Sequence, residues 1–399
     1  MRRWTGARSL AAVLVLLLLS GCWDRKEVND VAFVAATGFD KTGDEYRVTV
    51  QIPLPSQLGG AGSKGGGGGT SGDKSFFIDS YTGGTIRDAN KKQQQAMSRQ
   101  LYFAHRRTVV FSAELARDGL TPVIDVFIRT PQNRLSAIPV VSMGEARSVL
   151  NAEASIEQLP AEMIRELAQN FTVRPITLRS YVQAHLAKGM DEMLPLIKLD
   201  KTSPGSYGTA KSKVKWMGLA LFKEGRLTGT LEGKDAMYVL MLSNNAKNPL
   251  ISFDVPRGKG QVTVMLTELT TEVSPVRTND QRFQFDIRIS AKGTMMENAS
   301  LYDPLPDENL LQLNSAISTQ IKSDVERVLR ELQMKYKSDP LGLGEYIHRS
   351  YKQEWREMER EWNELYYPRL KFDVRTNIQI NHPGAVTKPF GLIEEAVIE

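Results

Sequence analysis

The sequence predicts a multi-domain, mixed α/β molecule of the α+β class, in which mostly antiparallel sheets are flanked by helices. Three observations support this class. Short apolar stretches alternate with polar residues and end at Gly or Pro, as the strands of hairpins do. Other segments carry apolar residues at spacings of three and four, as amphipathic helices do. The chain has 399 residues, which favours two or three domains over one.

The first 21 residues have the three-part layout of a secretory signal. Arg2, Arg3 and Arg8 precede ten apolar residues, Leu10 to Leu19, and small residues follow. As a helix, such a run would rise about 15 Å, roughly half the thickness of a bilayer. We therefore predict that residues 1–21 are a cleaved signal peptide rather than a membrane span.

The chain has one cysteine, Cys22, and it directly follows this signal. The string Leu19, Ser20, Gly21 and Cys22 resembles a bacterial lipobox, in which the thiol receives a diacylglycerol before cleavage makes the cysteine the first residue. We predict Cys22 as the lipid attachment site, which excludes a disulfide framework. Two or three acyl chains hold a protein on a membrane essentially permanently. The alternative is a plain cleaved signal with an incidental cysteine.

The start of the mature chain predicts strands and one long loop. The pattern predicts a buried strand at 31–40, a turn at 41–44 and, from the alternation at 46–52, the return strand. Nine of the fourteen residues in 59–72 are Gly, which predicts a disordered loop. The loop lacks the G-x-x-x-x-G-K-[ST] string that a phosphate-binding loop requires.

Predicted strands and helices then alternate as far as residue 199. They complete an N-terminal region over 22–205, which we divide into two subdomains. Ser112 is the expected N-cap of one helix, and Gly119 its stop. Residues 123–128 fit a helix or a strand equally well. The predicted strands are 75–81, 102–111 and 136–141, and the predicted helices are 86–100, 113–119, 143–150, 161–169 and 176–188.

A stretch rich in Ser, Gly, Thr and Lys, residues 200–213, predicts a linker, and we place the domain boundary at 206–213. A C-terminal α+β domain over 214–385 and a loose tail at 386–399 follow. The long helix 308–336 carries an apolar stripe that we expect to pack on its own domain's sheet. The other predicted elements are a hairpin at 214–222 and 227–231, strands at 250–255, 260–270, 281–291 and 372–380, and a second helix at 344–360.

Charge and composition give no indication of a nucleic-acid partner. The formal net charge is +5, but loss of the three leader arginines leaves 48 basic against 46 acidic residues. No dense basic stripe is present. The carboxylates between 354 and 364 alternate with Arg356 and Arg360, which predicts a solvated ion-pair face on one helix.

Sequence markers of catalysis are also absent. The chain contains no G-x-S-x-G, H-E-x-x-H or C-x-x-C string, the usual markers of hydrolases, zinc proteases and redox sites. Its four histidines lie far apart without the spacing of metal ligands: His105, His185, His348 and His382. We therefore expect no catalytic, metal-binding or cofactor-binding residues, and a protein that binds partners rather than one that catalyses a reaction.

Five strings, spread in order along the chain, share their pattern with one known family. They are GCWDRKEVND at 21–30, RTVVFSAELARDG at 107–119, RTPQNR at 129–134, GLALFKEGRLTG at 218–229 and KYKSDPLGLG at 335–344. Together they resemble the Ger(x)C family, the lipoprotein C subunits of bacterial spore germinant receptors. The likeness runs from Cys22 to about Ile380.

The chain departs from this family pattern at three positions. Ser112 stands where Gly is usual, and Thr130 and Gln132 stand where Asp and Glu are usual. The last two changes affect only a charge pairing to Arg129 or Arg134.

The resemblance implies a three-domain protein with no known catalytic role. It also implies assembly with a polytopic A subunit and a transporter-like B subunit, in receptors that respond to nutrients such as amino acids or sugars. We expect the lipid anchor to hold the protein on the outer leaflet of the cytoplasmic membrane, the inner membrane of the spore. Whether this subunit binds a germinant directly stays open.

Two other classes of protein fit the sequence less well. A solute-binding lipoprotein of an importer usually has two lobes with parallel sheets, whereas the second half of this chain alternates as antiparallel strands do. A cell-wall hydrolase would need the catalytic markers that are absent.

Overall fold

The structure is a computed structural model, and it describes residues 28–54, 74–154, 156–201, 212–278 and 283–382. Several predictions lie outside these residues. They concern the signal peptide, the lipobox residues Leu19, Ser20 and Gly21, the attachment site Cys22, the Gly-rich loop at 59–72, most of the linker and the C-terminal tail.

The described residues contain fourteen strands and ten α-helices. The strands are β1 Val31–Phe33, β2 Ala36–Thr42, β3 Glu45–Pro53, β4 Phe76–Gly83, β5 Gln100–Tyr102, β6 Thr108–Ser112, β7 Ile138–Ser142, β8 Met193–Lys201, β9 Ser212–Lys223, β10 Arg226–Glu232, β11 Leu250–Asp254, β12 Gly260–Arg277, β13 Phe283–Ser300 and β14 Lys371–His382. The helices are α1 Ile86–Gln95, α2 Ala113–Asp118, α3 Thr121–Arg129, α4 Ala146–Leu150, α5 Pro160–Gln169, α6 Leu178–Leu186, α7 Gly233–Leu242, α8 Asp307–Glu331, α9 Leu343–Ser350 and α10 Lys352–Met358. Short 3-10 and π turns cover Val28–Asp30, Leu332–Tyr336 and 359–369.

Eight strands form the larger sheet, in the order β10-β9-β8-β7-β6-β2-β3-β4. The four central strands, β8, β7, β6 and β2, run parallel, and the outer strands pair antiparallel. Parallel neighbours need helical crossovers, which α2 with α3 and α4 to α6 supply. The architecture confirms the α+β class, although its parallel centre was not predicted. Both β6 and β7 are fully buried, so neither shows the alternation that reveals a half-exposed strand.

The smaller sheet has the order β11-β12-β13-β14 and carries the long helix α8 across one face. The apolar stripe of α8 is buried, as predicted, at Leu313, Ile317, Ile321, Val325 and Val328. Polar side chains of the same helix also bond the edge strand β14. The backbone N–H groups of Ile378 and Ile380 donate to Ser318 Oγ and Asn314 Oδ1, at 3.1 and 3.0 Å. The helix therefore both covers the sheet and satisfies its edge.

Two elements of the structure have no counterpart in the sequence analysis, β8 and α7. Every residue of α7 from Ala236 to Leu242 is buried, so its sequence is apolar on all sides and lacks an amphipathic period. Strand β8 begins soon after α6, and its last two residues fall inside the stretch expected to be a linker. It pairs with β9 from Met193–Leu221 to Lys201–Ser212. The hairpin β9–β10 thus extends the sheet of the first half, and the division into two regions stays a prediction.

Several predicted boundaries were also wrong. The strand expected at 31–40 is split, because Val34 and Ala35 cross from the small β1–β5 pair to the large sheet, bonding Tyr102 O and Gln51 O. The helix expected over 86–100 ends at Gln95. The residues left open at 123–128 lie in helix α3. Within the described ranges, no helix is both long enough and apolar enough to span a bilayer.

Candidate functional site

A cleft of about 540 Å³ lies where the two halves of the chain meet. We call it the junction cleft. Residues 187–192, between α6 and β8, form one wall, and residues 355–364, from α10 onward, form the other. The β9–β10 turn closes the end with Lys223 and Glu224. Segments far apart in sequence therefore build this site.

Asp339 lies fully buried beneath the cleft and organises its base. Its carboxylate accepts N–H bonds from Leu343 and Gly344, at 3.0 and 2.9 Å, and so caps the start of α9. The indole Nε1 of Trp362 donates to the same carboxylate at 3.1 Å. Three donors on one buried carboxylate favour its ionised form, which opposes the cost of its burial.

Asp191 links this base to the first half of the chain. Its backbone N–H donates to Asp339 O at 2.9 Å, and its Oδ2 accepts the Asp339 N–H at 2.7 Å. The side-chain amide of Asn363 donates to the same Oδ2 at 2.6 Å. One carboxyl thus ties together three segments that are remote in sequence.

Burial dominates the electrostatics of this pair. Burial, together with the neighbouring Asp339 and Glu192, raises the pKa of Asp191 to about 7, against the hydrogen bonds that lower it. Burial also raises the pKa of Asp339 to about 6, again opposed by its N–H donors. The pKa of each carboxyl is thus raised above its ordinary value, with burial as the main cause.

Close backbone packing holds the two walls together. Gly189 has a left-handed φ of +74°, and its carbonyl accepts the Glu345 N–H at 3.0 Å. A Cβ on Gly189 would lie 2.4 Å from Trp355 Cη2 and 2.6 Å from Gly344 Cα. Only glycine gives both this conformation and this approach.

Ion pairs between different elements line the rim. Lys188 bonds Glu359 at 2.9 Å, and Glu364 bonds both Lys223 and Lys337. The two lysines hold the pKa of Glu364 at about 2. The prediction that these carboxylates pair with arginines of their own helix was therefore wrong, because Glu359 and Glu364 pair with lysines of other segments. The chain winds through π and 3-10 turns after α10, which breaks the i, i+4 spacing that pairing along one helix requires.

His105, His185 and His348, the histidines whose side chains the structure describes, have separate surroundings. His185 Nδ1 bonds the buried Glu192 at the edge of the junction cleft. The ring of His105 packs on Phe33, and the ring of His348 lies 5.9 Å from that of Trp355. Across the described residues, no group of three His, Cys, Asp or Glu is placed to hold a metal ion. The contacts of the junction cleft thus join segments of the fold that are remote in sequence.

Two of the sequence strings meet beside the junction cleft. Ser338 Oγ donates to Phe222 O at 2.6 Å, and Tyr336 Oη donates to Thr230 O at 3.0 Å. Gly229 leaves room for the Tyr336 ring, since a Cβ there would lie 2.2 Å from Tyr336 Cε1. The strings 218–229 and 335–344 thus form one packing unit, which also contains Asp339. Asp191 lies in no such string, and sequence analysis missed it.

Two of the three departures from the family pattern, Ser112 and Thr130, make local contacts. Ser112 is the N-cap of α2, as predicted, and its hydroxyl accepts the Leu115 N–H at 3.2 Å. Thr130 Oγ1 bonds Val126 O and the guanidinium of Arg87. Arg129 pairs with Asp125 of its own helix at 2.6 Å.

Two family profiles match the chain, one for each half. The profile for the spore germination protein N-terminal domain matches residues 24–199. The profile for the spore germination B3/GerAC-like C-terminal domain matches residues 217–384.

Relatives from Bacillus subtilis (strain 168) align over nearly the whole chain. YfkR, provisionally named as a spore germination protein, is 42% identical over 354 residues, covering 89% of this chain and 91% of YfkR. Spore germination protein KC is 28% identical over 401 residues, covering 96% and 97%. Spore germination protein B3 is 23% identical and covers 94% and 97%.

A solved structure shares the fold. The crystal structure of the GerBC protein superposes with a TM-score of 0.56 at 18% sequence identity. The match covers 87% of this chain and 97% of GerBC.

Proposed function

The chain belongs to the GerAC-like family of spore germination proteins, and from this membership we propose that it is the lipid-anchored C subunit of a nutrient germinant receptor. The observation that carries the proposal is that both halves match the family in order, directly after a predicted signal peptide and Cys22. The family is one of receptor subunits and is not a known enzyme family. We therefore assign this chain a role in binding and assembly.

The anchor accounts for the proposed location. Acylation of Cys22 would hold the protein on the outer leaflet of the cytoplasmic membrane, which becomes the inner membrane of the spore. Multiple acyl chains make this attachment lasting. A tether also raises the effective concentration of the protein near membrane-embedded partners, so an interface of modest affinity stays occupied.

The partners that we propose are the polytopic A and transporter-like B membrane subunits. The junction cleft supports this role, because the polar contacts of Asp191 with Asp339 and Asn363 fix the two halves in one orientation. A fixed orientation lowers the entropy cost of docking on a membrane partner. Conformational signals from A or B would then reach a rigid body rather than two loosely joined domains.

Replacement of Cys22 by Ala tests the anchor and the assembly together. We expect the variant to leave the membrane fraction of sporulating cells, to lose co-purification with the A and B subunits, and to impair nutrient germination. Lys26→Ala, four residues further on, is the matched control and should stay in the membrane fraction. Normal membrane retention of the Cys22→Ala variant would contradict the proposal.

A solute-binding lipoprotein of an importer remains the second candidate, because the central strands of the large sheet are parallel, as they are in the lobes of such proteins. Co-purification of the tagged wild-type chain with a permease, in place of A and B, would favour it. Tight binding of free amino acids in calorimetry would point the same way.

A further inference from the structure

A second, smaller cleft lies at the edge of the large sheet where the parallel strands β2, β6 and β7 begin. Its volume is about 260 Å³, and we call it the arginine cleft. Arg107 precedes β6, Arg134 and Ser136 precede β7, and Arg165 extends from α5. His105 and Arg106 complete the basic part of its lining. Three chain segments thus bring guanidinium groups to one concavity.

Cations outnumber carboxylates at this cleft. Glu162 bridges Arg107 and Arg165, at 3.1 and 2.9 Å, and Glu166 bonds Arg165 at 2.5 Å. Arg134 is exposed and makes no ion pair with any residue that the structure describes. The shared Glu162 also holds two guanidinium groups close to each other. A concave site with excess positive charge and positioned guanidinium groups suits a phosphate, which Arg binds through paired N–H bonds.

Arg106 adds positive charge but differs in its surroundings. Its guanidinium carbon lies 4.7 Å from the ring centre of Phe103 and 4.6 Å from that of Phe127. Its Nε is buried without a hydrogen-bond partner among the described residues. The side chain is therefore part of the packing, and its removal would test folding rather than ligand binding.

The arginine cleft is close to the start of the described chain. The backbone N–H of Arg107 donates to Ala35 O at 2.8 Å, and the His105 ring lies 5.3 Å from that of Phe33. Phe33 follows Cys22 by eleven residues, which span at most about 40 Å when extended. An anchor at Cys22 therefore keeps this edge of the sheet within reach of the bilayer surface, where anionic headgroups attract basic clusters.

We propose that the arginine cleft binds the phosphate of an anionic phospholipid headgroup in the leaflet that carries the anchor. This contact turns the amino-terminal edge of the large sheet toward the membrane and fixes the orientation in which the C subunit meets its partners. The proposal rests on the proposed anchor for its geometry. The affinity of the cleft for lipid, however, is measurable without acylation.

The test uses the mature chain, residues 22–399, with Cys22→Ser so that no acyl chain contributes. Vesicles of phosphatidylcholine are compared with vesicles in which phosphatidylglycerol makes up about one third of the lipid. We expect flotation with the anionic vesicles only. Arg107→Gln with Arg134→Gln should lower this binding by about thirtyfold, with an unchanged melting temperature.

Two controls make the outcome specific. Arg330→Gln with Arg356→Gln removes the same charge from exposed positions in the second half and should bind as the wild type does. Inorganic phosphate is compared with sodium chloride at equal ionic strength to separate a lipid site from a site for free phosphate.

Three results would overturn the proposal. The first is equal binding to both kinds of vesicle, and the second is an equal loss in the two double variants. The third is that free phosphate displaces the protein from anionic vesicles so readily that no preference for lipid phosphate remains. An arginine-dependent contact with the A or B subunits without vesicle binding would assign the cleft to a protein partner instead. Because no acylation is involved, failure here would leave the Cys22 experiment unaffected.

Discussion

Asp191 and Asp339 show how single residues set the properties of the junction cleft. Both are nearly or fully buried, and both exchange hydrogen bonds with groups from remote segments. Three N–H groups donate to the carboxylate of Asp339, whereas two donate to that of Asp191, both to Oδ2. Burial raises the pKa of both carboxyls, to about 7 for Asp191 and about 6 for Asp339, and their N–H donors oppose this rise.

These raised pKa values predict a loss of stability with increasing pH. An unfolded Asp titrates near 3.9, so between about pH 4 and pH 7 the folded chain binds protons that the unfolded chain has released. The free energy of unfolding must then fall as pH rises through this window. A tenfold difference in proton affinity between the folded and unfolded states is worth about 1.4 kcal/mol. We therefore expect the junction carboxyls to lower the free energy of unfolding by about 2 to 4 kcal/mol between pH 5 and pH 8.

Asp191→Asn should remove most of this dependence. The amide oxygen can accept the two N–H bonds that now reach Oδ2, while the charge disappears. Urea unfolding at several pH values measures the effect, and Asp373→Asn on the exposed part of β14 is the control that should keep the wild-type slope. An unchanged slope in Asp191→Asn would show that another group causes the pH dependence.

At the scale of elements, the contact between the α6–β8 connection and α9 depends on two glycines. Gly189 and Gly344 bring their backbones together, with the Trp355 ring against both. A side chain at either position would force α9 and α10 away from the first half. This contact explains why the string 335–344 ends in glycine.

Gly189→Ala should therefore lower the free energy of unfolding by about 3 kcal/mol, through left-handed strain together with overpacking. Thermal melting and urea unfolding measure this loss. Gly84→Ala is the matched control, because no atom lies within 4 Å of its Cβ position and its φ is not left-handed, and its effect should stay within about 0.5 kcal/mol. Similar stability of the two variants would mean that the backbone contact is not tight in solution.

Side-chain hydrogen bonds and an ion pair join helices α7 and α8. Arg327 of α8 bonds both carboxylate oxygens of Asp235, and Tyr238 Oη donates to Asp324 at 3.0 Å. The bidentate geometry suits Arg and not Lys. These contacts fix the helix that follows the large sheet against the helix that covers the small one.

At the scale of the whole molecule, the predicted linker joins two strands that pair with each other. Strands β8 and β9 share a ladder from Met193–Leu221 to Lys201–Ser212, and the junction cleft adds the contacts of Asp191 and Asp339. The chain should therefore behave as one cooperative body, although the two family profiles divide it.

Cutting the connection tests this expectation. A protease site placed within residues 202–211 should give two fragments that stay together in size-exclusion chromatography and separate only in denaturant. The ladder and the cleft hold them, so the melting temperature should fall by only a few degrees, as a modest loss of stability predicts. Separation of the fragments under native conditions would show two independent domains.

Local patterns in the sequence were sufficient for much of the second half. The stripe of α8 and the alternation of β12 and β13 each arise within one element, because one face is buried and the other is exposed. The cap at Ser112 and the stop at Gly119 are local in the same way. The predicted signal and Cys22 also form a local pattern, because a peptidase recognises a short extended segment of the chain. The Cys22→Ala experiment tests this prediction.

The sequence by itself determined the family, the α+β class and most elements with one exposed face. Only the tertiary structure decided the parallel centre of the large sheet, the burial of α7, and the meeting of Asp191 with Asp339. The reason is physical. An element buried on all sides has no polar face to give it a period, and a hydrogen bond between residues 148 positions apart depends on the path of the whole chain.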